Sequence, residues 1–284
     1  MTGDIKKVGV LGSGIMGAGL AEVAARAGYD VVVRSRSQAT ADAMLVSIDK
    51  GLTKQVERGK ATDEEKAAIL SRISVTDHIG AVADCDLVIE SVVEDLAIKK
   101  ALFAELEQIV KPGGILATNT STLPVVEMAM ATKRPDLVVG IHFFNPAPAM
   151  KLVEIVRPIT ASEETVAAAT AFAVACGKDA VLVEDRAGFI VNALLFPYLN
   201  NAVRLWENGT AKMEDIDTAM KGGCNFPMGP FALLDLVGLD TSLAILDALY
   251  EEFKDPNYAA LPAIRRKVAA GHLGRKTKRG FYTY

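Results

Sequence analysis

Three glycines close to the N-terminus constrain the fold of this chain more than any other feature. Gly12, Gly14 and Gly17 form a G-x-G-x-x-G pattern that lies between a short apolar run and a helical pattern. In a strand–turn–helix setting, the first glycine permits a tight turn, the second lets the backbone approach a pyrophosphate, and the third allows close helix–strand contact. The free N–H groups of the first helical turn then face the phosphates. The pattern predicts a dinucleotide-binding turn made of Gly12, Gly14, Ile15, Met16 and Gly17.

The first two-thirds of the chain alternates short β-branched runs with longer helical patterns. This alternation implies crossover connections, so we predict an α/β fold with a doubly wound, mostly parallel sheet of the Rossmann type. Residues 38–72 instead predict a helical hairpin arm, whose second helix begins at the capping box Thr62-x-x-Glu65. The predicted strands are Lys7–Leu11, Val31–Arg34, Leu87–Glu90, Ile115–Thr118, Leu137–Ile141, Leu152–Val156 and Ala180–Val183.

After residue 186 the pattern changes to helical periodicity with turn signals and without a convincing strand run. We therefore predict two domains, a dinucleotide-binding domain over residues 1–186 and an all-helical domain over residues 187–284. The predicted helices of the second domain are Phe189–Glu207, Lys212–Lys221, Pro230–Val237, Leu239–Phe253 and Leu261–Ala270.

Composition narrows the class of partner. The net charge is −4, from 31 basic and 35 acidic residues, which gives no reason to expect a nucleic acid. The cysteines Cys85, Cys176 and Cys224 are widely spaced and match no metal-ligand spacing. No apolar run approaches the roughly 20 residues of a membrane span, and the N-terminus runs straight into a predicted strand. We expect a cytoplasmic protein without nucleic-acid, membrane or metal partners.

The end of the second predicted strand, in "VVVRSRS", bears on the choice of dinucleotide. An acid that accepts hydrogen bonds from the adenosine ribose is expected there, but the place falls to Ser35, between Arg34 and Arg36. A hydroxyl does not repel a 2′-phosphate, and a guanidinium can hold a phosphate with two parallel hydrogen bonds. The stretch favours NADP(H). The alternative is that both arginines are solvated and NAD(H) binds without the acid.

One of the three histidines lies where a general acid/base is needed. His142 opens "HFFNPAPAMKLVEIV" directly after the predicted strand Leu137–Ile141, and ligands of open α/β sheets sit outside the carboxyl ends of strands. Its imidazole can exchange a proton near neutral pH. Glu154 lies on the next extended segment, and a hairpin-like return would bring its carboxylate to the imidazole. The sequence predicts a His142–Glu154 acid/base pair.

Six motifs together carry a family resemblance. "GSGIMG", "NTSTLP", "HFFNPAPAMKLVEIV", "GFIVNALLFPYLN", "NFPMGPFALLDLVGLD" and "GRKTKRGFY" follow one another between about residue 5 and residue 284. They resemble the short-chain L-3-hydroxyacyl-CoA dehydrogenases, and within that family the bacterial 3-hydroxybutyryl-CoA dehydrogenases. The resemblance implies reversible oxidation of a short (S)-3-hydroxyacyl-CoA to a 3-oxoacyl-CoA with a nicotinamide cofactor. It also implies a homodimer formed through the helical domain.

The resemblance assigns four catalytic residues. His142 would take the proton of the substrate's 3-hydroxyl, and Glu154 would orient the imidazole and stabilise its charge. Ser121, in "NTST", and Asn192, at the start of the helical domain, would hydrogen-bond the substrate oxygen. Donors placed in advance around a developing alkoxide or ketone oxygen are what this chemistry needs.

Other positions are implied for the cofactor and for CoA. Glu94, Lys99 and Asn119 correspond to family positions near the nicotinamide half of the cofactor. On the arm, the resemblance places the CoA moiety against Lys54 and Arg58, which share a helix face and could equally form a solvated basic surface.

The chain departs from the family at Ser35, where an acid is common, and this departure leaves NAD(H) and NADP(H) both open. Two other functions also remain open. One is a dehydrogenase of a free hydroxyacid or sugar acid, which the basic arm disfavours because a small acid would not need it. The other is a non-catalytic NAD(P)-binding structural protein, which would have no need of the residue set Ser121, His142, Glu154 and Asn192.

Overall fold

A computed structural model describes residues 5–284 of the chain. Within that range the chain forms eight strands and eleven α-helices in two compact units. The first unit ends at Asp185 and contains every strand, and the second begins at Arg186 and is built from helices. The predicted fold class, a Rossmann-type sheet followed by an all-helical part, is confirmed.

The eight strands form one sheet in the order β3-β2-β1-β4-β5-β6-β7-β8. Every neighbouring pair is parallel except β6 and β7, which are antiparallel and so give the sheet a mixed end. The strands are β1 Lys7–Leu11, β2 Asp30–Arg34, β3 Ile73–Thr76, β4 Leu87–Glu90, β5 Ile115–Thr118, β6 Val138–Phe143, β7 Leu152–Arg157 and β8 Asp179–Glu184.

Six helices belong to the first unit, and two of them, α2 and α3, lie in the segment for which a helical hairpin arm was predicted. The hydroxyl of Ser37 caps α2, and Thr62 and Glu65 form the predicted capping box, in which each side chain accepts from the other residue's main-chain N–H. The helices are α1 Ile15–Arg26, α2 Gln38–Glu57, α3 Asp63–Ser71, α4 Leu96–Ile109, α5 Val125–Ala129 and α6 Glu163–Ala175.

Two strand predictions need correction. Strand β3, Ile73–Thr76, was not predicted; it lies at the edge of the sheet with only Ile73 buried, so its sequence lacks an apolar run. Strand β6 runs from Val138 to Phe143, two residues beyond the predicted end, because pairing with both neighbours buries all six residues. His142 therefore lies inside the strand instead of just after it.

The central strands bury both faces of the sheet, which explains why their sequences are continuous apolar runs. All four residues of β4 and all four of β5 are buried, and each strand ends on a polar residue, Glu90 and Thr118. A polar group that is buried at a strand end requires hydrogen-bond partners. Polar side chains therefore cluster around the carboxyl ends of β4 and β5.

The second unit packs five helices around its own apolar core. Two buried carboxylates fix its chain segments: Asp217 accepts from the N–H groups of Phe231 and Ala232 at the start of α9, and Asp235 accepts from those of Phe281 and Tyr282. The helices are α7 Val191–Glu207, α8 Met213–Cys224, α9 Pro230–Val237, α10 Leu239–Phe253 and α11 Pro262–Ala269.

Helix α7 begins two residues later than predicted, at Val191. Helix α8 ends three residues later than predicted, at Cys224, and the next residue, Asn225, has the left-handed conformation. None of the helices between residues 5 and 284 is long and apolar enough to cross a membrane. The same range contains no group of three or more metal-ligating side chains placed to hold an ion.

Candidate active site

The candidate site lies on the side of the sheet where the parallel strands end, which is called the ligand edge below. Strand β1 has β2 on one side and β4 on the other, so the chain reverses its direction of winding there, and ligands of open α/β sheets bind outside the carboxyl ends of the strands at such a point. The carboxyl ends of the six parallel strands β1 to β6 share this side of the sheet. Because β7 is antiparallel to β6, it begins at this edge, near Glu154. The topology therefore collects the ends of six strands and the starts of two, β7 and β8, in one place.

The glycine turn has the shape that a dinucleotide requires. Gly12 has φ +115°, and a Cβ there would lie 2.3 Å from the carbonyl oxygen of Ser91. A Cβ on Gly17 would lie 1.9 Å from the carbonyl oxygen of Gly12, so the turn and α1 are in backbone contact. A Cβ on Gly14 would have no atom within 4 Å. No side chain caps α1 and no acid lies in its first turn, so this turn fits an incoming pyrophosphate.

The predicted adenosine end of the site contains hydroxyl groups. Ser35 is buried, and its hydroxyl lies 2.7 Å from Ser13 Oγ and 2.5 Å from Thr40 Oγ1. Arg34 is half-buried and its Nε donates to a main-chain carbonyl of the loop after β3, whereas the side chain of Arg36 is exposed. The two arginines thus differ: Arg34 is held against the protein, and Arg36 extends into solvent.

His142 and Glu154 stand directly opposite each other on β6 and β7. The imidazole Nδ1 is 2.7 Å from the carboxylate Oε2 of Glu154, and both side chains are buried. Because an ionised carboxylate only accepts, Nδ1 carries a proton and Nε2 is directed elsewhere. Nε2 lies 3.2 Å from the hydroxyl of Ser121. The structure therefore brings Ser121, His142 and Glu154 into one line of contacts.

The loop after β5 is held from two sides. The main-chain N–H of Ser121 donates to Oε1 of Glu94 at 2.8 Å, and the hydroxyl of Thr120 donates to the same oxygen. On the other side, Oδ1 of Asn119 accepts from the N–H of Phe143 at the end of β6, at 2.8 Å. The position of the Ser121 hydroxyl is therefore fixed in two ways: by the hydrogen bond of its main-chain N–H to Glu94 and by the contact of the hydroxyl with His142.

Lys99 and Glu94 belong to a cluster of three charged side chains. The sequence predicted these two as site residues and missed the third, Glu90. Lys99 is 1% exposed, and its ammonium lies 2.7 Å from Oε1 of Glu90 and 3.1 Å from Oε2 of Glu94. Lys99 was expected near the nicotinamide half of the cofactor, and the structure turns its ammonium towards two carboxylates. Glu90 was not predicted as a site residue. An acid that ends an apolar strand at the ligand edge was the signal for it.

The predicted CoA residues lie on the arm. Lys54 in the last turn of α2 and Arg58 at its C-cap are both exposed. Lys50, one turn earlier, is exposed as well, and the four-residue spacing places the three cations in one row on the helix. Sequence reasoning missed Lys50, although the same spacing that grouped Lys54 with Arg58 includes it.

Asn192 belongs to the second unit. It is the second residue of α7 and is buried, with 8% of its surface exposed. The other two histidines belong to other elements: His78 is exposed before a 3₁₀ turn, and His272 is half-buried in the helical unit.

Topology, glycine turn and buried imidazole–carboxylate pair together define a Rossmann-type oxidoreductase that uses a nicotinamide cofactor. Residues 7–186 match the family model for the 3-hydroxyacyl-CoA dehydrogenase NAD binding domain, and residues 188–284 match that for the 3-hydroxyacyl-CoA dehydrogenase C-terminal domain. The chain belongs to the 3-hydroxyacyl-CoA dehydrogenase family and is an enzyme, as its motifs predicted. A non-catalytic role is therefore set aside.

Individual relatives are similar along their whole length. The chain is 47% identical to a 3-hydroxybutyryl-CoA dehydrogenase of Mycobacterium tuberculosis, with 100% of both chains covered. It is 48% identical to one of Clostridioides difficile, covering 98% of this chain and 99% of the relative. The crystal structure of (S)-3-hydroxybutyryl-CoA dehydrogenase from Ralstonia eutropha superposes with a TM-score of 0.96 at 40% identity, covering 99% of each chain.

Proposed function

We propose that this enzyme interconverts (S)-3-hydroxybutyryl-CoA and acetoacetyl-CoA, with NADP(H) as the favoured cofactor. The observation that carries the reaction is the contact line from Ser121 through His142 to Glu154, at 3.2 Å and 2.7 Å. The choice of a four-carbon acyl-CoA rests on the relatives of Mycobacterium tuberculosis and Clostridioides difficile, which bear the name 3-hydroxybutyryl-CoA dehydrogenase.

His142 is the proposed acid/base. In the oxidative direction, Nε2 takes the proton of the substrate's 3-hydroxyl, while Nδ1 keeps its hydrogen bond to Glu154. The buried carboxylate stabilises the imidazolium that forms and keeps the ring oriented. In the reductive direction the same nitrogen returns the proton to the oxygen of the ketone. Because Glu154 is fully buried, water does not screen this interaction.

The hydroxyl of Ser121 is the proposed donor to the substrate oxygen, close to the nitrogen that exchanges the proton. Asn192 is proposed as a second donor, on the strength of the family resemblance alone. A nicotinamide cofactor on the glycine turn would accept or supply the hydride at C3 of the substrate. Gly12, Gly14, Ile15, Met16 and Gly17 would hold its pyrophosphate, and Glu94, Lys99 and Asn119 would shape the nicotinamide end.

The preference for NADP(H) rests on the end of β2. Ser35 offers a hydroxyl where a carboxylate would repel a 2′-phosphate, and Arg36 is exposed with its guanidinium available for binding. Arg34 adds a second positive charge beside it. Hydrogen bonds between a charged pair contribute about 1.5–3 kcal/mol, so a preference of roughly 10-fold to 10²-fold over NADH is expected.

The first test follows the oxidation of NADPH and of NADH with acetoacetyl-CoA. We expect turnover with both cofactors and a higher kcat/KM with NADPH. The Ser35→Asp variant should lower kcat/KM with NADPH on the order of 10²-fold, because a carboxylate beside a phosphate costs several kcal/mol, while NADH is retained.

Three other results would change the proposal. A higher kcat/KM with NADH than with NADPH in the wild type would mean that the arginines are surface residues and that NAD(H) is the cofactor. Absence of turnover with either cofactor would refute the acyl-CoA reaction. Turnover of acetoacetate in place of its CoA ester would favour a dehydrogenase of a free hydroxyacid.

The row of cations on α2 is the proposed contact for CoA. Lys50, Lys54 and Arg58 are exposed at successive turns, and CoA carries several phosphate charges. Val46, one turn before Lys50, is 52% exposed and adds apolar surface to the same helix face. The exposed position of the row means that each contact is weak and screened by salt.

Lys54→Ala should raise the KM for acetoacetyl-CoA about fivefold, as expected for one exposed ion pair, with little change in kcat. The matched substrate is an acetoacetyl thioester that lacks the CoA phosphates. Its KM should be the same for the variant and the wild type. Equal effects of Lys54→Ala on both thioesters would show that the arm does not bind the phosphates.

The second unit is proposed to form a homodimer, as the family resemblance implies. Leu194 and Leu205 of α7, which are 72% and 47% exposed, are the apolar side chains that we assign to the dimer surface. Both leucines would become buried on association.

A further inference from the structure

Glu90 is a buried charge that the proposed reaction does not use. It ends β4, is fully buried, and its carboxylate accepts from the N–H of Val92 at 2.6 Å and from the hydroxyl of Thr118 at 2.7 Å. Lys99 completes the set with contacts of 2.7 and 2.8 Å to the two oxygens. Apolar residues of similar volume often stabilise a fold as well as such an ion pair does. Stability alone therefore does not account for it.

From this pair the contacts continue to the proposed catalytic residues. The ammonium of Lys99 lies 3.1 Å from Oε2 of Glu94, and Oε1 of Glu94 accepts from the N–H of Ser121 at 2.8 Å. The hydroxyl of Ser121 lies 3.2 Å from Nε2 of His142. The side chain of Glu94 is 41% exposed, so the buried ammonium on one side and the Ser121 loop on the other define its position.

We propose that Glu90 is a positioning residue for the reaction. It fixes the ammonium of Lys99, the ammonium fixes Glu94, and Glu94 holds the main chain of Ser121 so that its hydroxyl stays beside His142. The inference rests on the proposed function, because Ser121 and His142 take their roles from it. It assigns Lys99 an indirect role, in which its ammonium pairs with the carboxylates of Glu90 and Glu94.

The test is a double-mutant cycle in the full-length enzyme. Glu90→Gln keeps the size of the side chain and removes its charge, and we expect kcat to fall on the order of 10-fold to 10²-fold, as for a misplaced catalytic group. The KM for acetoacetyl-CoA and the Kd for NADPH should change less than about twofold. In a Ser121→Ala background, Glu90→Gln should lower kcat by less than about twofold, because the group that it positions is gone.

A matched control exists on the same helix. Lys100 follows Lys99 on α4 and pairs with Glu127 at 2.8 Å, but both side chains are exposed. Glu127→Gln removes a carboxylate from an ammonium as Glu90→Gln does, and it should leave kcat unchanged.

A second readout does not depend on turnover. The chain has 3 histidines with two ring nitrogens each, so ¹⁵N-labelled imidazoles give three pairs of signals, and His142→Gln identifies the pair of His142. We expect Glu90→Gln to shift or broaden the His142 signal and to leave those of His78 and His272 in place. A general loss of structure would change all three.

The charge-neutral pair Glu90→Gln with Lys99→Met avoids an uncompensated buried charge if the single variant fails to fold. We expect it to fold, with a low kcat and an altered His142 signal. Wild-type kcat with an unchanged His142 signal, or a full Glu90→Gln effect in the Ser121→Ala background, would overturn the inference. If the wild type fails to reduce acetoacetyl-CoA, the proposed function is lost, and the imidazole spectra alone decide whether Glu90 positions His142.

Discussion

Replacing His142 by glutamine should lower kcat for acetoacetyl-CoA reduction by a factor on the order of 10² to 10⁴, the range for loss of a general acid/base. Glutamine fills the site and can keep a hydrogen bond to Glu154, but it cannot give up and regain a proton at neutral pH. Cofactor binding should be unaffected, because the glycine turn and the end of β2 belong to other loops. The measurement is kcat by NADPH absorbance, with the Kd for NADPH from its fluorescence.

The control for this variant is His272→Gln, which makes the same chemical change in the helical unit. It should leave kcat within about twofold of the wild type, because the proposed reaction gives His272 no role. If His142→Gln turned over at the wild-type rate, the pair of His142 and Glu154 would be structural, and the proton would have to be carried by another group. A fall in kcat together with a lost NADPH Kd would instead indicate misfolding.

The sequence predicted the fold well because its signals are local. Apolar β-branched runs, a capping box and a glycine turn each act over a few residues, and seven of the strands show them. Strand β3 could not be found in this way, since one buried residue, Ile73, is too little apolar signal and pairing with β2 creates the strand. The end of β6 was misplaced for the same reason, because its pairing partner β7 extends it through His142.

Sequence reasoning was less complete for the candidate site. A strand return between His142 and Glu154 could be predicted from one motif, but the exact register that puts them opposite each other depends on the antiparallel ladder. Glu90 was missed because its place in the site depends on its hydrogen bonds with Lys99, from a helix, and with Thr118, from a neighbouring strand. Contacts between distant segments are decided by the topology of the sheet, which no local pattern encodes.

The second large effect concerns the glycine turn. Gly17→Ala should lower the free energy of unfolding by about 3 kcal/mol, the upper part of the range for overpacking, because the new Cβ would lie 1.9 Å from the carbonyl oxygen of Gly12. That atom is main chain and belongs to the turn itself, so relief requires α1 or the turn to move. Urea unfolding followed by circular dichroism measures the loss, and the Kd for NADPH should rise in parallel because the turn is displaced.

Gly14→Ala is the matched variant that separates packing from ligand binding. A Cβ at Gly14 has no protein atom within 4 Å, so the free energy of unfolding should stay within about 0.5 kcal/mol of the wild type. The Kd for NADPH should nevertheless rise at least about 10-fold, because the methyl group occupies the space through which the backbone approaches the pyrophosphate. Stable Gly14→Ala protein with a wild-type Kd would mean that the cofactor binds elsewhere. If both variants bind NADPH weakly and only Gly17→Ala is unstable, the two glycines have different roles. Gly17 is then required by the contact of α1 with the turn, and Gly14 is required by the ligand.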